Sequence, residues 1–405
     1  MTLWAGRVAG KLAPEVWDFL RAEDAELLPY DCAATLAHAR RLEQAGILSG
    51  EELAAVEEAL ARIESVAKED EDVHSAIERQ LGDAGRKIHA GRSRNDQVAA
   101  ALRLYVQDAC EEADGAVREL CAVVLDRADD EAETPMPAYT HLQRAVPVTV
   151  GHHLLAWVEM LERDLGRFAA ARAAAGPSPL GAGAAGGSTL PLPPAGDAMR
   201  NSLDAVGDRD FALDYLYAST VLFTHLSRVG EELVIWATSE FGFVRLPEEG
   251  ATGSSMMPQK LNPDVAELVR GKAGTMLGRL TGLLAVVKGL PLAYDRDLQE
   301  DKPPVFATRA DVVAALGALA VLVAALEFDR SRLAAAASDP LLRATDAAEA
   351  LVREGVPFRD AHERVAGQVR AGTFEPPAEA PPRVAPGPAQ VRAAVDAARA
   401  RLRGA

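Results

Sequence analysis

Cysteine is scarce in this chain: the 405 residues include three, Cys32, Cys110 and Cys121. So few thiols exclude a disulfide-stapled fold, and none of their spacings suits a metal site. Cys110 and Cys121 fall on one expected helix, roughly 16 Å apart along its axis, too far to bridge. Reduced thiols in a cytoplasmic protein are the expectation. Positive charge is in deficit, with 43 Lys and Arg against 60 Asp and Glu and a net charge of −17. That balance argues against nucleic acid or an anionic membrane surface as a partner, and an anionic substrate would need a local basic pocket. Long apolar runs are missing too. The longest, 312–326, is shorter than the roughly 20 residues of a membrane span and reads as a buried helix. The N-terminal stretch carries Trp, Arg, Glu and Asp and no apolar signal core. No His-Glu-x-x-His spacing occurs, and we expect neither a metal nor a cofactor. Aromatics make up only 5%, leaving abundant alanine and few β-branched runs, a composition that favours helix.

Helical periodicity is what the chain has in quantity. Short helices are expected across 1–93, including 51–60 after Ser49-Gly50 and another over 71–78. Long helical patterns follow at about 98–130, 148–174, 201–241 and 263–288. From about 335 the chain turns to short Ala-rich helices. The tract 374–388 is Pro-rich and expected to be extended, and a last helix covers 389–402. The organisation we expect is an N-terminal domain over 1–93, a central long-helix domain over 94–334 and a small domain over 335–405. Gly181 to Gly186 spells a literal Gly-x-Gly-x-x-Gly, but a helical pattern precedes it and prolines follow. A dinucleotide fingerprint needs a strand before and a helix after, so we read a loop.

The most informative run is Thr252-Gly253-Ser254-Ser255-Met256-Met257-Pro258-Gln259-Lys260-Leu261-Asn262-Pro263-Asp264. Glycine and serines open it, and Lys260 adds a fixed positive charge. Asn262 suits a helix N-cap, Pro263 the first helical position and acids the first turn. A hydroxyl-bearing loop running into the positive end of a helix suits an anion and eases deprotonation of the hydroxyl. The bland reading is a surface loop capped by Asn262.

Three further runs carry polar chemistry. Arg92-Ser93-Arg94-Asn95-Asp96-Gln97 stands before a long helix, where guanidinium forks match carboxylates and Ser93 or Asn95 can cap. Tyr139-Thr140-His141-Leu142-Gln143-Arg144 forms a polar turn after the break at Thr134-Pro135-Met136-Pro137. Tyr294 to Lys302 offers a phenol, an amide and an ammonium, or else a solvated charge run after a helix stop at Gly289. His74 reads as a structural polar contact, and His152-His153 as packing residues within a helix.

Taken together these runs resemble the argininosuccinate lyase/δ-crystallin family of the fumarase/aspartase superfamily. The Gly-Ser-Ser-x-Met-Pro-x-Lys-x-Asn loop matches at every fixed position. Leu3 to Arg7, His89 to Gln97, Met136 to Glu162, Asn201 to Phe211 and Phe241 to Lys302 match as well. So do Ala344-Thr345-Asp346 and Gly355 to Arg359. The resemblance implies an all-α, three-domain subunit and a homotetramer with a core of about 20 helices, each active site drawing on three chains. It implies a small dicarboxylate substrate whose C–N bond is cleaved by β-elimination, releasing fumarate. Ser254 would be the base, Lys260 and Asn262 would polarise a carboxylate, and His141, oriented by Glu267, would serve the leaving nitrogen. Arg94, Asn95 and Thr140 would hold carboxylates. Tyr294, Gln299, Lys302 and Arg209 would complete the pocket.

The chain also departs from the family. Trp17-Asp18-Phe19-Leu20 stands where the family has Phe-Asn-x-Ser, so a substrate-contacting hydroxyl is missing. Gln44 replaces a family Lys and Leu261 fills a variable position that is usually Lys. The Gly-rich loop before Asn201 is short, and the third domain lacks a block of about 40 residues. The elimination machinery is intact, so argininosuccinate cleavage is the expected activity. The alternatives are a lyase for another N-substituted aspartate and an inactive δ-crystallin-like structural protein.

Overall fold

The computed structural model describes residues 12–378 and 387–404. The matching segment Leu3 to Arg7 and most of the Pro-rich tract lie outside the described residues. In order, the chain forms α1 (Pro14–Leu20), α2 (Leu28–Gln44), α3 (Gly50–Leu60), α4 (Val73–Leu81), α5 (Arg94–Asp130), strands β1 (Pro135–Thr140) and β2 (Gln143–Thr149), α6 (Val150–Ala174), α7 (Ser202–Gly207) and α8 (Asp210–Ala237). Then come β3 (Val244–Arg245), β4 (Thr252–Gly253), β5 (Leu261–Asn262), α9 (Asp264–Val287), α10 (Lys302–Ala325), β6 (Glu327–Phe328), α11 (Arg330–Ala337), α12 (Ala344–Arg353), α13 (Phe358–Ala371) and α14 (Pro388–Gly404). The fold is helical, as the resemblance implies. The strands make three small antiparallel pairs, and two of these carry candidate site residues.

Local chemistry sets the helix boundaries. A capping box between Ser49 and Glu52 starts α3, and one between Asp72 and Ser75 starts α4. Helix α5 begins at Arg94, earlier than periodicity indicated, because Ser93 N–H donates to Asp96 Oδ1 and Asn95 N–H to Ser93 Oγ. The pattern expected to run unbroken over 201–241 divides into α7 and α8. Asp208 is extended, and its Oδ1 accepts from Asp210 N–H, a fresh helix start.

The chain forms two compact units. The first holds residues 1–114, 166–221 and 274–313, the second 115–165, 222–273 and 314–405. Helices α5, α6, α8, α9 and α10 each give one part to each unit.

In the first unit Leu42, Ile77, Leu102, Tyr105, Phe168, Phe211 and Tyr215 are fully buried, each worth about 1.5–3 kcal/mol of apolar burial. At Gly207 a Cβ would sit 2.5 Å from Ala293 O, so only glycine lets α7 approach the backbone beside Tyr294. All three cysteines are free, and Cys110 and Cys121 are buried on α5.

In the second unit a Cβ on Gly230 would lie 2.5 Å from Ala266 O, which brings the start of α9 hard against α8. The β1–β2 hairpin packs on α11, and Tyr139 joins Phe241 and Phe243 at ring distances of 5.8 and 6.5 Å. Arg399 and Arg401 tie α14 to Asp126 and Glu162.

The apolar run 312–326 lies mostly in α10. The helical stretch Arg296–Ala325 is long and apolar enough to cross a membrane by length and composition alone. It also carries charges held by ion pairs: Lys302 with Asp301, Arg309 with Asp108 and Glu112, and Asp311 with Arg279. Such pairing is the mark of a core helix of a folded domain.

Candidate active site

A cavity of about 210 Å3 opens in the first unit. It brings together five of the residues singled out in the sequence: Arg94 and Asn95 from the first turn of α5, and Tyr294, Gln299 and Lys302 from the segment leading into α10. It also holds Asp24, Glu71, Asp72, His74 and Arg296, to which sequence reasoning gave no functional role. Their signal was present in the charged strings Glu71-Asp72-Val73-His74 and Asp295-Arg296-Asp297. Charge runs without periodicity look like solvated surface until the fold gathers them.

Inside the cavity, charge is arranged in opposed groups. Arg94 Nη1 lies 3.0 Å from Asp72 Oδ2 and donates to Glu71 Oε2 at 3.2 Å, while its Nε and Nη2 are buried and unpartnered. That free edge is the geometry of a bidentate carboxylate contact. Asp24 is buried at 2% exposure, and its Oδ1 accepts from Val73 N–H at 2.9 Å. Burial raises its carboxyl above the usual range, against the pull of His74 and Lys302. A buried carboxylate beside open space suits a cationic group of a ligand. Lys302 Nζ donates to Asp301 Oδ1 at 2.8 Å. Burial also raises the Tyr294 phenol, which keeps it a neutral hydrogen-bonding group.

Arg209 does not line this cavity. Its side chain is wholly buried and pairs through Nε with Asp301 Oδ2, on the same carboxylate that holds Lys302. Burial would raise the Asp301 carboxyl, but Lys302 and Arg209 outweigh it and hold it below the usual range.

The N-terminal departure has a structural consequence. Leu20 ends α1, and its backbone carbonyl accepts from Arg296 Nη2 at 2.6 Å and from Gln299 Nε2 at 3.4 Å. Arg296 Nη2 also reaches Glu71 Oε1 at 3.2 Å. The Gly-rich run is a loop fixed by Asp96, whose Oδ2 accepts from Gly181 and Gly183 N–H, and Asn95 Nδ2 donates to Ala184 O.

The second unit carries the other candidates. Thr140 ends β1 and pairs with Gln143, so His141 and Leu142 make a two-residue hairpin loop where a simple polar turn was expected. Both have left-handed backbones, φ 56° and 55°, a conformation that costs non-glycine residues roughly 1–2 kcal/mol each. The loop thrusts an exposed histidine outward beside a leucine 69% exposed. In the Gly-Ser-Ser run, Thr252 pairs with Asn262 and Gly253 with Leu261, closing residues 254–260 into a tight loop. Ser254 Oγ accepts from Met257 N–H at 3.0 Å and Met256 N–H at 3.3 Å. Asn262, expected as the N-cap of α9, lies in β5. The first helical bond runs instead from Glu267 N–H to Pro263 O, because strand pairing holds Asn262 extended. Lys260 and Glu267 are exposed.

The helical fold is that of lyases of the fumarase/aspartase superfamily. The sequence profile of the family described as Lyase matches residues 20–278, and that described as Argininosuccinate lyase C-terminal matches 341–375. The argininosuccinate lyase of Frankia casuarinae is 50% identical over 387 residues, covering 90% of this chain and 83% of that protein. That of Synechococcus sp. is 47% identical, covering 92% and 81%. Among solved structures, an EDDS lyase variant with bound fumarate is similar with a TM-score of 0.80 and 26% identity, over 97% of this chain and 91% of that one. The chain belongs to the argininosuccinate lyase family and is a carbon–nitrogen lyase.

Proposed function

We propose that the chain cleaves argininosuccinate to arginine and fumarate in a cytoplasmic homotetramer, each active site drawing on three subunits. The observation that carries this reading is the opposed charge of one small cavity. Arg94 lines it with a buried, unpartnered guanidinium edge suited to a carboxylate, and Asp24 with a buried carboxylate suited to a guanidinium. Argininosuccinate has both groups.

In this reading Ser254, as alkoxide, removes the proton from the carbon beside the succinyl carboxylate. Lys260 and Asn262 polarise that carboxylate, which takes up the negative charge. The C–N bond then breaks, its electron pair goes to nitrogen, a C=C bond forms, and His141, oriented by Glu267, returns a proton to the leaving nitrogen. Arg94, Asn95 and Thr140 hold carboxylates, and Tyr294, Gln299 and Lys302 line the pocket. Arg209 acts at one remove, by fixing Asp301 and through it Lys302. Serine is a weak base at its ordinary pKa, so Lys260 and closure of the loop activate it.

Oligomerisation is supported by α9. This 24-residue helix buries few large side chains (Val269, Met276, Leu283) and leaves Leu268, Leu277 and Leu284 about half exposed or more. Leu277 and Leu284, two turns apart, share one side of the helix, and Leu268 is exposed on the opposite side; apolar surface of that kind suits a partner. Sharing is supported by the hairpin, which presents His141 and Leu142 exposed at its tip. The domains we assign are 1–93, 94–334 and 335–405.

A second reading, a lyase for another N-substituted aspartate, is favoured by one contact. The Leu20 carbonyl engages Arg296 and Gln299 where the family places a serine hydroxyl. The test is to offer purified protein argininosuccinate and follow fumarate by ultraviolet absorbance. Fumarate formation supports the first reading. Its absence, with fumarate released from a different N-succinyl amine, supports the second.

A further inference from the structure

His74 is buried at 4% exposure on α4, yet it lines the cavity. Its Nδ1–H donates to Asp31 Oδ2 at 2.7 Å, and its Nε2 has no partner. Asp31, fully buried on α2, is held in turn. Gln97 Nε2 donates to both its oxygens at 2.9 Å, and Thr35 Oγ1, itself accepting from Arg92 Nη1, lies 3.4 Å from Oδ1. A structural histidine in a satisfied core would use both ring nitrogens. This one is clamped through Nδ1 and leaves Nε2 buried and without a partner, in a residue that lines the cavity.

The geometry points to a ligand contact: we propose that His74 presents Nε2–H to a carboxylate oxygen of the bound substrate, and that Asp31 is the positioning residue that holds the ring for it. With Nδ1–H pinned to Asp31, the ring can rotate only by breaking a buried charge-assisted bond. The charged groups around the ring are Asp31, Asp24, Asp72, Arg92, Arg94 and Lys302, with His89 nearby. Burial works against a charge on the ring, but Asp31, Asp72 and Asp24 outweigh it and raise its pKa, the direction that favours a proton on Nε2 beside the one on Nδ1. Arg94 and Lys302 line the same cavity and make it hospitable to a carboxylate. The proposal deepens the reading given above and rests on it for the identity of the ligand.

Two amides separate a ligand contact from a structural role. In His74→Asn the amide falls near Nδ1 and preserves the bond to Asp31. In His74→Gln it falls near Nε2 and preserves a donor towards the cavity. We expect His74→Asn to weaken binding of arginine or fumarate, measured by calorimetry, by roughly 10- to 100-fold, while His74→Gln stays within about fivefold of wild type. KM for argininosuccinate should rise in parallel, with kcat changing less. Asp31→Asn keeps an acceptor for Nδ1–H but loses its charge, and should fall between the two. Thermal unfolding of all three variants separates loss of fold from loss of contact. The reverse order, with Asn near wild type and Gln weakened, would show that the Asp31 bond is the whole role of His74 and would overturn the proposal. Product binding reads His74 even if wild type proves not to turn over argininosuccinate, so failure of the functional reading is scored separately by wild-type fumarate formation.

Discussion

Asp72 and Arg94 hold one another at 3.0 Å through Oδ2 and Nη1, and in doing so they turn the unpartnered Nε–Nη2 edge of Arg94 into a fixed fork. Two parallel N–H bonds to a carboxylate demand this planar geometry, which lysine cannot reproduce. Arg94→Lys keeps the charge and loses the fork. We expect KM to rise roughly 10- to 100-fold, with little effect on thermal stability. Steady-state kinetics on argininosuccinate check this, and a KM within twofold of wild type would contradict it.

Arg209 and Asp301 predict a stability effect. Arg209→Ala leaves the wholly buried Asp301 carboxylate to its ion pair with Lys302. The expected loss is about 3–5 kcal/mol in urea unfolding, because an undercompensated buried charge is costly. A loss below about 1 kcal/mol would show that the pair relaxes on mutation.

The sequence made much of this legible, and for identifiable reasons. Long helices reveal themselves by periodicity, and the Gly-Ser-Ser loop by its fixed residues. Arg94 and Asn95 stood out because paired donors at a helix start have few bland uses. Three things were hidden. The His141 hairpin reads as a turn in the sequence because Pro135, Pro137 and Pro147 disguise its strands. The ion pair of Arg209 with Asp301 is invisible locally, because the two lie 92 residues apart. His74 reads as structural in the sequence because its anchor Asp31 lies 43 residues away, and only packing shows that one ring nitrogen has no partner.

His38 provides a pH dependence. It is buried, its Nε2 bonds to Ala90 O at 3.0 Å, and its Nδ1 lies 3.3 Å from Arg41 Nη1. Burial, with Arg92 adding repulsion, pushes its pKa down to about 3. The unfolded chain binds the proton near 6.5 and the folded chain does not until about 3, so His38 costs stability as pH falls through that window. Its share is at most about 1.4 kcal/mol per pH unit. His38→Gln should flatten the loss of stability between pH 6 and about 4 by up to one proton, measured by urea unfolding across pH. An unchanged slope would mean His38 is protonated in the fold.

The exposed leucines of α9 bear on assembly. Leu277→Asp puts a charge on the face expected to be covered in the tetramer. Light scattering should show the variant shifted to smaller species while wild type remains tetrameric. A wild-type monomer would remove the basis for shared active sites.

The most direct test of the central claim is the rate of fumarate formation from argininosuccinate by wild type and by Ser254→Ala. The account predicts measurable turnover by wild type and a kcat lower by about 1,000-fold or more in Ser254→Ala, with thermal stability and arginine binding retained. A Ser254→Ala enzyme with kcat within about tenfold of wild type would show that another group removes the proton, and would contradict the role given to the loop.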